Sequence, residues 1–287
     1  MAEEFGDFAD DTKRHARKVQ SRSIALSARI EAYLKVLARK LIKDMIEEIK
    51  AHGPNFKIEK ADEPWDEEKL LRLISLYGLR QANDSGKEFS PDKWEIQPSF
   101  VSDYLESKRI LIQRIREGFE KDFRESVARA MSEWSKESPQ LTMGAVSQRL
   151  RTWLTVSTMD DAPTRLQPLG SKFTVGGLGS RARTIARTEI NGARNVARME
   201  AGRLTGNTHK IWLAYTDGKS GDRHHEALNK QVRGLGELFE NPITGARLMY
   251  PGDQNARSKF GVAGEIIRCR CSVRPISQRQ AQRLMNR

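Results

Sequence analysis

Two thiols, Cys269 and Cys271, lie two positions apart near the carboxy-terminal end of the sequence. Residues Ile266 to Val273 alternate in polarity, which predicts a strand. A period of two then puts Ile267, Cys269, Cys271 and Val273 on one face and Arg268, Arg270, Ser272 and Arg274 on the other. Two thiolates on one side of a strand are close enough to share a soft divalent cation, and His225, His209 or His224 would complete a Cys2His2-like shell around zinc. The competing reading is apolar packing, because free cysteine behaves as a small buried hydrophobe and both thiols have aliphatic neighbours. A second group, Asp222-Arg223-His224-His225-Glu226, brings imidazole and carboxylate within one helical turn, as general acid–base or nuclease chemistry requires. Its cast is incomplete, since the chain has no HExxH, no P-loop and no GxSxG elbow. The plainer reading has His225 bonded inside a small domain and Arg223 paired with Glu226 at its surface.

Two further groups read as architecture. In Arg187-Thr188-Glu189 the first and third side chains project about 200° apart on a helix, so they need separate partners, for which Asp217 and Asp253 are available. Tyr250-Pro251-Gly252-Asp253 is a turn by composition, with proline presetting one dihedral and glycine supplying the permissive one.

These groups depend on the elements that carry them. Ile30, Leu34, Leu37, Leu41, Met45 and Ile49 recur at three- and four-residue steps, which predicts a helix from about Val19 to Lys50, stopped by His52-Gly53-Pro54. A second helix fits Asp66 to Gln81 through Leu70, Leu71, Ile74 and Tyr77, followed by a loop from Asn83 to Ser99. A third fits Val101 to Glu137 through Leu105, Ile112, Ile115, Phe119, Phe123, Val127, Met131 and Trp134, and a shorter one fits Thr142 to Val156. Pro163, Pro168, Gly170, Gly176, Gly177 and Gly179 mark a hinge over 166–180. Beyond it the texture changes to a helix over Arg181 to Leu204 closed by Gly206, a strand over Lys210 to Thr216, a helical turn within Asp222 to Asn229, and the thiol-bearing strand. The expected class is α+β, an extended all-helical first half (1–165) followed by a small α+β domain (181–275) and a basic tail (276–287).

Composition bounds the partners. With 287 residues, 50 Lys and Arg against 38 Asp and Glu give a net charge of +12, which makes a polyanion a plausible neighbour. Arg268, Arg270, Arg274, Arg279, Arg283 and Arg287 fall in a final stretch without an acid and are candidate contacts for such a polyanion. Met1 to Asp11 carries acids and no base, unlike a signal peptide, and no apolar run reaches the length of a membrane span, so the mature protein is expected to start near residue 1 and to have no membrane partner. Two closely spaced cysteines make no disulfide framework, which points to folding in a reducing cytoplasm.

The order Thr184-Ile185-Ala186-Arg187-Thr188-Glu189-Ile190-Asn191, Lys210-Ile211-Trp212, Asp217, His225-Glu226-Ala227-Leu228-Asn229, Asn241-Pro242-Ile243-Thr244-Gly245, Tyr250-Pro251-Gly252-Asp253 and Cys269-Arg270-Cys271 resembles the phage Mu F-like head morphogenesis family over about residues 181–275. The resemblance marks Arg187, Thr188, Glu189, Trp212, Asp217, His225, Pro251, Gly252, Asp253, Cys269 and Cys271 as structural motif positions. It implies a minor head protein of a tailed bacteriophage, a few copies of which sit inside the capsid near the portal vertex. Where the family continues His-x-x-Leu-x-Gly this chain has Leu228-Asn229-Lys230, so the turn after Asn229 is expected to differ.

The leading expectation is a structural head protein without enzymatic activity. It would contact the portal protein, the major capsid or scaffolding protein and packaged double-stranded DNA, and assist capsid assembly and DNA packaging or ejection. One rival is a metal-assisted nuclease or peptidase acting during head maturation, centred on His225, Glu226, Cys269 and Cys271. Another is a protein that only condenses DNA.

Overall fold

The computed structural model describes residues 2–52, 66–137, 145, 148, 175–215, 224–258, 261–267 and 269–286. Its elements, in chain order, are helices α1 (Ala2–His52), α2 (Glu67–Phe89), α3 (Pro98–Glu137) and α4 (Val175–Leu204), strand β1 (His209–Leu213), a 3-10 turn (His225–Leu228), strands β2 (Val232–Gly234), β3 (Phe239–Glu240) and β4 (Arg247–Leu248), helix α5 (Gly261–Ile266), strand β5 (Ser272–Ile276) and helix α6 (Gln278–Met285). The class is α+β, with long helices and small antiparallel sheets. No described helix is long and apolar enough to cross a membrane.

The helices overrun their expected bounds where tertiary partners override local signals. α1 begins at Ala2 and not near Val19, and polar residues ahead of Val19 are bound by other elements, Asp11 by Arg198 and His15 by Arg194. α2 continues to Phe89 through Asn83-Asp84-Ser85-Gly86, which reads as loop. Here Asp84 pairs with Arg22, and the Ser85 hydroxyl donates to the Arg194 carbonyl at 3.3 Å. Gly86 seats the Trp94 indole, and a Cβ there would lie 1.9 Å from its ring. A loop-forming composition thus becomes helix when Asp84 and Ser85 find fixed partners. The expected hinge resolves differently too: residues 175–180 form the first turns of α4, and 166–174 lie outside the described residues, as does most of the expected Thr142–Val156 helix.

Two compact units share these helices, and their membership does not follow sequence order. One gathers Ser27–Leu73 and Lys108–Arg183, the other Met1–Leu26, Ile74–Ser107 and Thr184–Arg287. All four boundaries fall inside helices, that between Arg183 and Thr184 inside α4 just beyond the expected 166–180 hinge.

The first unit is helical in its described residues. Ile30, Leu34, Leu37 and Leu41 of the α1 stripe are buried, as are Leu70 and Leu71 of α2, Ile112 and Phe119 of α3 and Ala182 of α4. Each large apolar side chain buried this way contributes about 1.5–3 kcal/mol. Polar contacts add placement: Tyr33 donates to the Asp66 carbonyl at 3.2 Å, Arg116 pairs with Glu67 at 2.8 Å, and the Arg181 guanidinium lies 5.3 Å from the Phe119 ring centre.

The second unit holds the sheets. β1 is the central strand of an antiparallel sheet ordered β2-β1-β5, pairing Ile211 with Val232 and Trp212 with Val273. Lys210, Ile211, Trp212 and Leu213 are all buried, so the expected alternation fails, because a central strand covered on both faces has no solvent side. Trp212, Leu228, Phe239, Leu248, Cys269, Cys271 and Val273 form one core with Met199 of α4. On the other face Ile211, Leu213 and Ile276 pack on Ala281 of α6. The basic tail expected over 276–287 is therefore ordered through residue 286, and the Ser277 and Gln280 side chains close a capping box at the start of α6.

Candidate metal centre

His225, Cys269 and Cys271 converge from two distant stretches of the second unit. The 3-10 turn presents His225 from one side. On the other, the chain leaves α5 at Ile266, turns, and enters β5 only at Ser272. The strand expected over Ile266–Val273 is thus a short helix, an irregular segment carrying both thiols, and the first residues of β5. The correction follows from main-chain bonding: the Ile267 amide donates to the Ala263 carbonyl and the Cys269 amide to the Ile266 carbonyl, both at 3.1 Å, which closes helical turns where a strand would need ladder partners. Ile267 is exposed and does not share the face of the thiols.

The resulting site is closed. Cys269 is 3% exposed, Cys271 4% and His225 1%. His225 Nδ1 lies 3.5 Å from Cys269 Sγ and 4.0 Å from Cys271 Sγ, and its Nε2 meets Glu265 Oε2 at 2.9 Å. Glu265 is itself fully buried, and its Oε1 accepts from the Ser258 hydroxyl at 2.5 Å. The Trp212 ring stands edge-on to the imidazole with centroids 5.3 Å apart, and Phe239 stands edge-on to Trp212 at 5.2 Å, so the ring of His225 is fixed by packing as well as by Glu265. Burial alone lowers the basicity of His225, yet hydrogen bonds to Cys271 and Glu265 and their charges raise its pKa above the ordinary histidine range. The Cys271 thiol moves the opposite way, held well below its usual range by the hydrogen bond from Cys269 and then by His225, against the effect of burial. A soft cation bound here would take Cys271 as its thiolate and His225 as the neutral imidazole, with the Nε2 proton held by Glu265 and the Nδ1 lone pair turned to the sulfurs.

The other histidines do not join it. His209 Nδ1 meets Thr208 Oγ1 at 2.9 Å at the start of β1, and His224 Nδ1 meets Glu226 Oε1 at 3.1 Å on the surface. The imidazole–carboxylate contact expected inside Asp222–Glu226 is thus the exposed His224–Glu226 pair, while His225 finds its carboxylate 40 positions away, at Glu265. Arg223 and Asp222 lie outside the described residues, so the expected Arg223–Glu226 pair is not among the described contacts.

Of the remaining motif positions, Pro251 and Gly252 dock their turn on α4. Gly252, at φ 85°, crosses Gly192 of α4 so closely that a Cβ on Gly252 would lie 3.0 Å from the Gly192 Cα. Pro251 offers its carbonyl to Asn195 Nδ2 at 2.9 Å. Asp253 closes the turn on itself, Oδ2 accepting from the Met249 amide and Oδ1 from the Asn255 amide, both at 2.8 Å. It is accordingly no partner of Arg187, whose Nη2 donates to Gln20 Oε1 at 2.6 Å instead. Thr188 donates to the Thr184 carbonyl at 2.8 Å, Glu189 is buried, and Asp217 lies outside the described residues. Lys210, fully buried, donates to the Met249 carbonyl at 2.9 Å, and burial pushes its pKa down to about 8. Among the candidate DNA contacts, Arg270 is half-buried over the Tyr215 ring at 4.7 Å and Arg274 is half-buried in β5. Arg279 and Arg283 are exposed one turn apart on α6, and Arg268 and Arg287 lie outside the described residues.

Sequence reasoning missed Glu265 and Asn195. Besides Pro251, Asn195 Nδ2 donates to the Cys271 carbonyl at 3.2 Å and its Oδ1 accepts from the Val273 amide at 3.1 Å, so one side chain ties the turn, the thiol segment and β5 to α4. Asn195 belongs to a polar stripe at helical spacing, Asn191, Arg194, Asn195 and Arg198, which the structure buries and which in the sequence looks the same as a solvated face. No protein-family model, no curated protein and no solved structure matches the chain.

Proposed function

We propose that the protein is a minor head protein of a tailed bacteriophage, with a Mu F-like domain over about residues 181–275, that binds the portal vertex from inside the head and assists capsid assembly and DNA packaging or ejection. The observation that supports this reading most is the use to which the motif residues are put. Trp212, His225, Pro251, Gly252, Cys269 and Cys271 contact one another or α4, as parts of a rigid interaction module do. Long amphipathic helices supply surface for portal, capsid or scaffolding partners, and exposed Arg279 and Arg283 suit contact with DNA phosphates.

The rival reading, a metal-assisted nuclease or peptidase, rests on the His225, Cys269 and Cys271 cluster. At 1%, 3% and 4% exposure those groups offer a polymer substrate no approach, which favours the structural role. The test is co-expression of the full chain with the portal protein of the same phage. Co-purification as a ring-sized complex, and capture of the chain in assembled heads, are expected. A portal that assembles without retaining the chain at micromolar concentration, or purified protein that cleaves DNA or capsid protein and loses this with His225→Ala, would overturn the reading.

A further inference from the structure

We infer that His225, Cys269 and Cys271 are three ligands of one zinc-class divalent cation, held as a structural staple of the second unit. Ideal tetrahedral zinc, with bonds of about 2.0–2.1 Å to imidazole nitrogen and about 2.3 Å to thiolate sulfur, sets its nitrogen and sulfur ligands about 3.6 Å apart. The nitrogen–sulfur separations of 3.5 and 4.0 Å bracket that value. All three donor atoms lie within 4.8 Å of one another, grouped closely enough for small side-chain rotations to seat one ion.

The surroundings match the donors. An imidazole that ligates through one nitrogen is normally oriented by a hydrogen bond at the other, and a carboxylate there raises its ligand strength. Glu265 fills that role: it takes the Nε2 side at 2.9 Å, leaving Nδ1 toward the thiols, and Ser258 holds its second oxygen. A bare thiol pair in an apolar core needs no carboxylate-oriented imidazole beside it, whereas a metal-ligating imidazole normally has one. Three protein ligands leave one tetrahedral position, and the closed surroundings favour a stabilising role over an exchangeable catalytic one. By joining His225 to the segment 44 positions downstream, the ion would clamp the 3-10 turn to the start of β5.

The experiment uses the full chain purified with and without zinc, metal analysis by mass spectrometry, and cobalt substitution as the optical probe. Expected are one ion per chain, a near-ultraviolet thiolate-to-cobalt band with the visible bands of a tetrahedral site, thiols unreactive to a disulfide reagent until a chelator is added, and a lowered unfolding temperature after chelation. Cys269→Ser and Cys271→Ser should each weaken the charge-transfer band. Because His225→Ala risks misfolding, Glu265→Gln is the second variant: it keeps every ligand and should lower affinity about 10–100-fold. Folded protein that takes up no cobalt at equimolar concentration, thiols that titrate freely in the zinc-supplied native state, or a Cys269–Cys271 disulfide would each overturn the assignment. The inference is separable from the head-protein reading. Metal-free protein that binds portal defeats only this one, and metal-loaded protein that ignores portal defeats only the other.

Discussion

The guanidinium of Arg198 meets the carboxylate of Asp11 at 2.9 Å across 187 positions of sequence, and both residues are buried. Arg198 also donates to the Val273 carbonyl at 3.3 Å and lies 4.9 Å from the Phe89 ring centre, so one cation joins α1, α2, α4 and β5 within the second unit. Removing the carboxylate leaves this charge buried and uncompensated. Asp11→Asn is therefore expected to lower unfolding free energy by about 3–5 kcal/mol, read by denaturant titration, and Arg198→Met in the same chain should restore part of the loss.

A second expectation concerns acid. Arg194 Nε donates to His15 Nδ1 at 2.9 Å, so His15 is the tautomer whose Nε2 proton goes to Asn191 Oδ1 at 2.7 Å. Burial first, then the charges of Arg198 and Arg194, hold its pKa well below the ordinary histidine value. The unfolded chain thus binds this proton more readily than the native one, and the stabilisation is complete above pH about 6.5 and is lost as pH falls below it, by about 1.4 kcal/mol per unit. The difference between wild type and His15→Gln in unfolding free energy, followed from pH 8 to about 5, should show that slope; parallel curves would refute the assignment.

The turn after Asn229 carries its own test. Lys230 has φ 65°, the left-handed conformation glycine adopts without strain, and its amide donates to the Trp212 carbonyl at 2.8 Å. Lys230→Gly keeps that bond and relieves the backbone, so a gain of about 0.5–1 kcal/mol in thermal unfolding is expected. A loss would show that the lysine side chain itself stabilises the turn.

Asn195 should be as sensitive as any charged group. Asn195→Ala strands the Pro251 and Cys271 carbonyls and the Val273 amide together, at about 1 kcal/mol or more each, for an expected total of about 3–4 kcal/mol. Native-state hydrogen exchange at Val273 would reveal the loss directly.

What the sequence discloses follows from which forces are local. The apolar stripe of Ile30, Leu34, Leu37 and Leu41 and the thiol pair with His225 are legible because period and residue chemistry survive in one dimension. The polar stripe of Asn191, Arg194, Asn195 and Arg198 points inward, and no periodicity distinguishes it from a solvated face, since its partners Asp11, His15 and Glu88 lie far off in sequence. Asn83 to Gly86 misleads for the same reason: its preference for turns is overruled by Arg22, Arg194 and Trp94. Glu265 had no sequence signal at all, because an acid beside a histidine 40 positions away is visible only once the chain has turned.

The interleaving of the second unit sets an order of events during synthesis. His15 waits 179 positions for Arg194, and at about 5–20 residues per second that is roughly ten to forty seconds on the ribosome. Throughout that interval Asp11 and His15 of α1 are without the arginines that bury them. A message cut short before Arg194 would release a polypeptide in which Asp11 and His15 stay uncovered, so loss of the later segment is reported by protease cleavage near those residues.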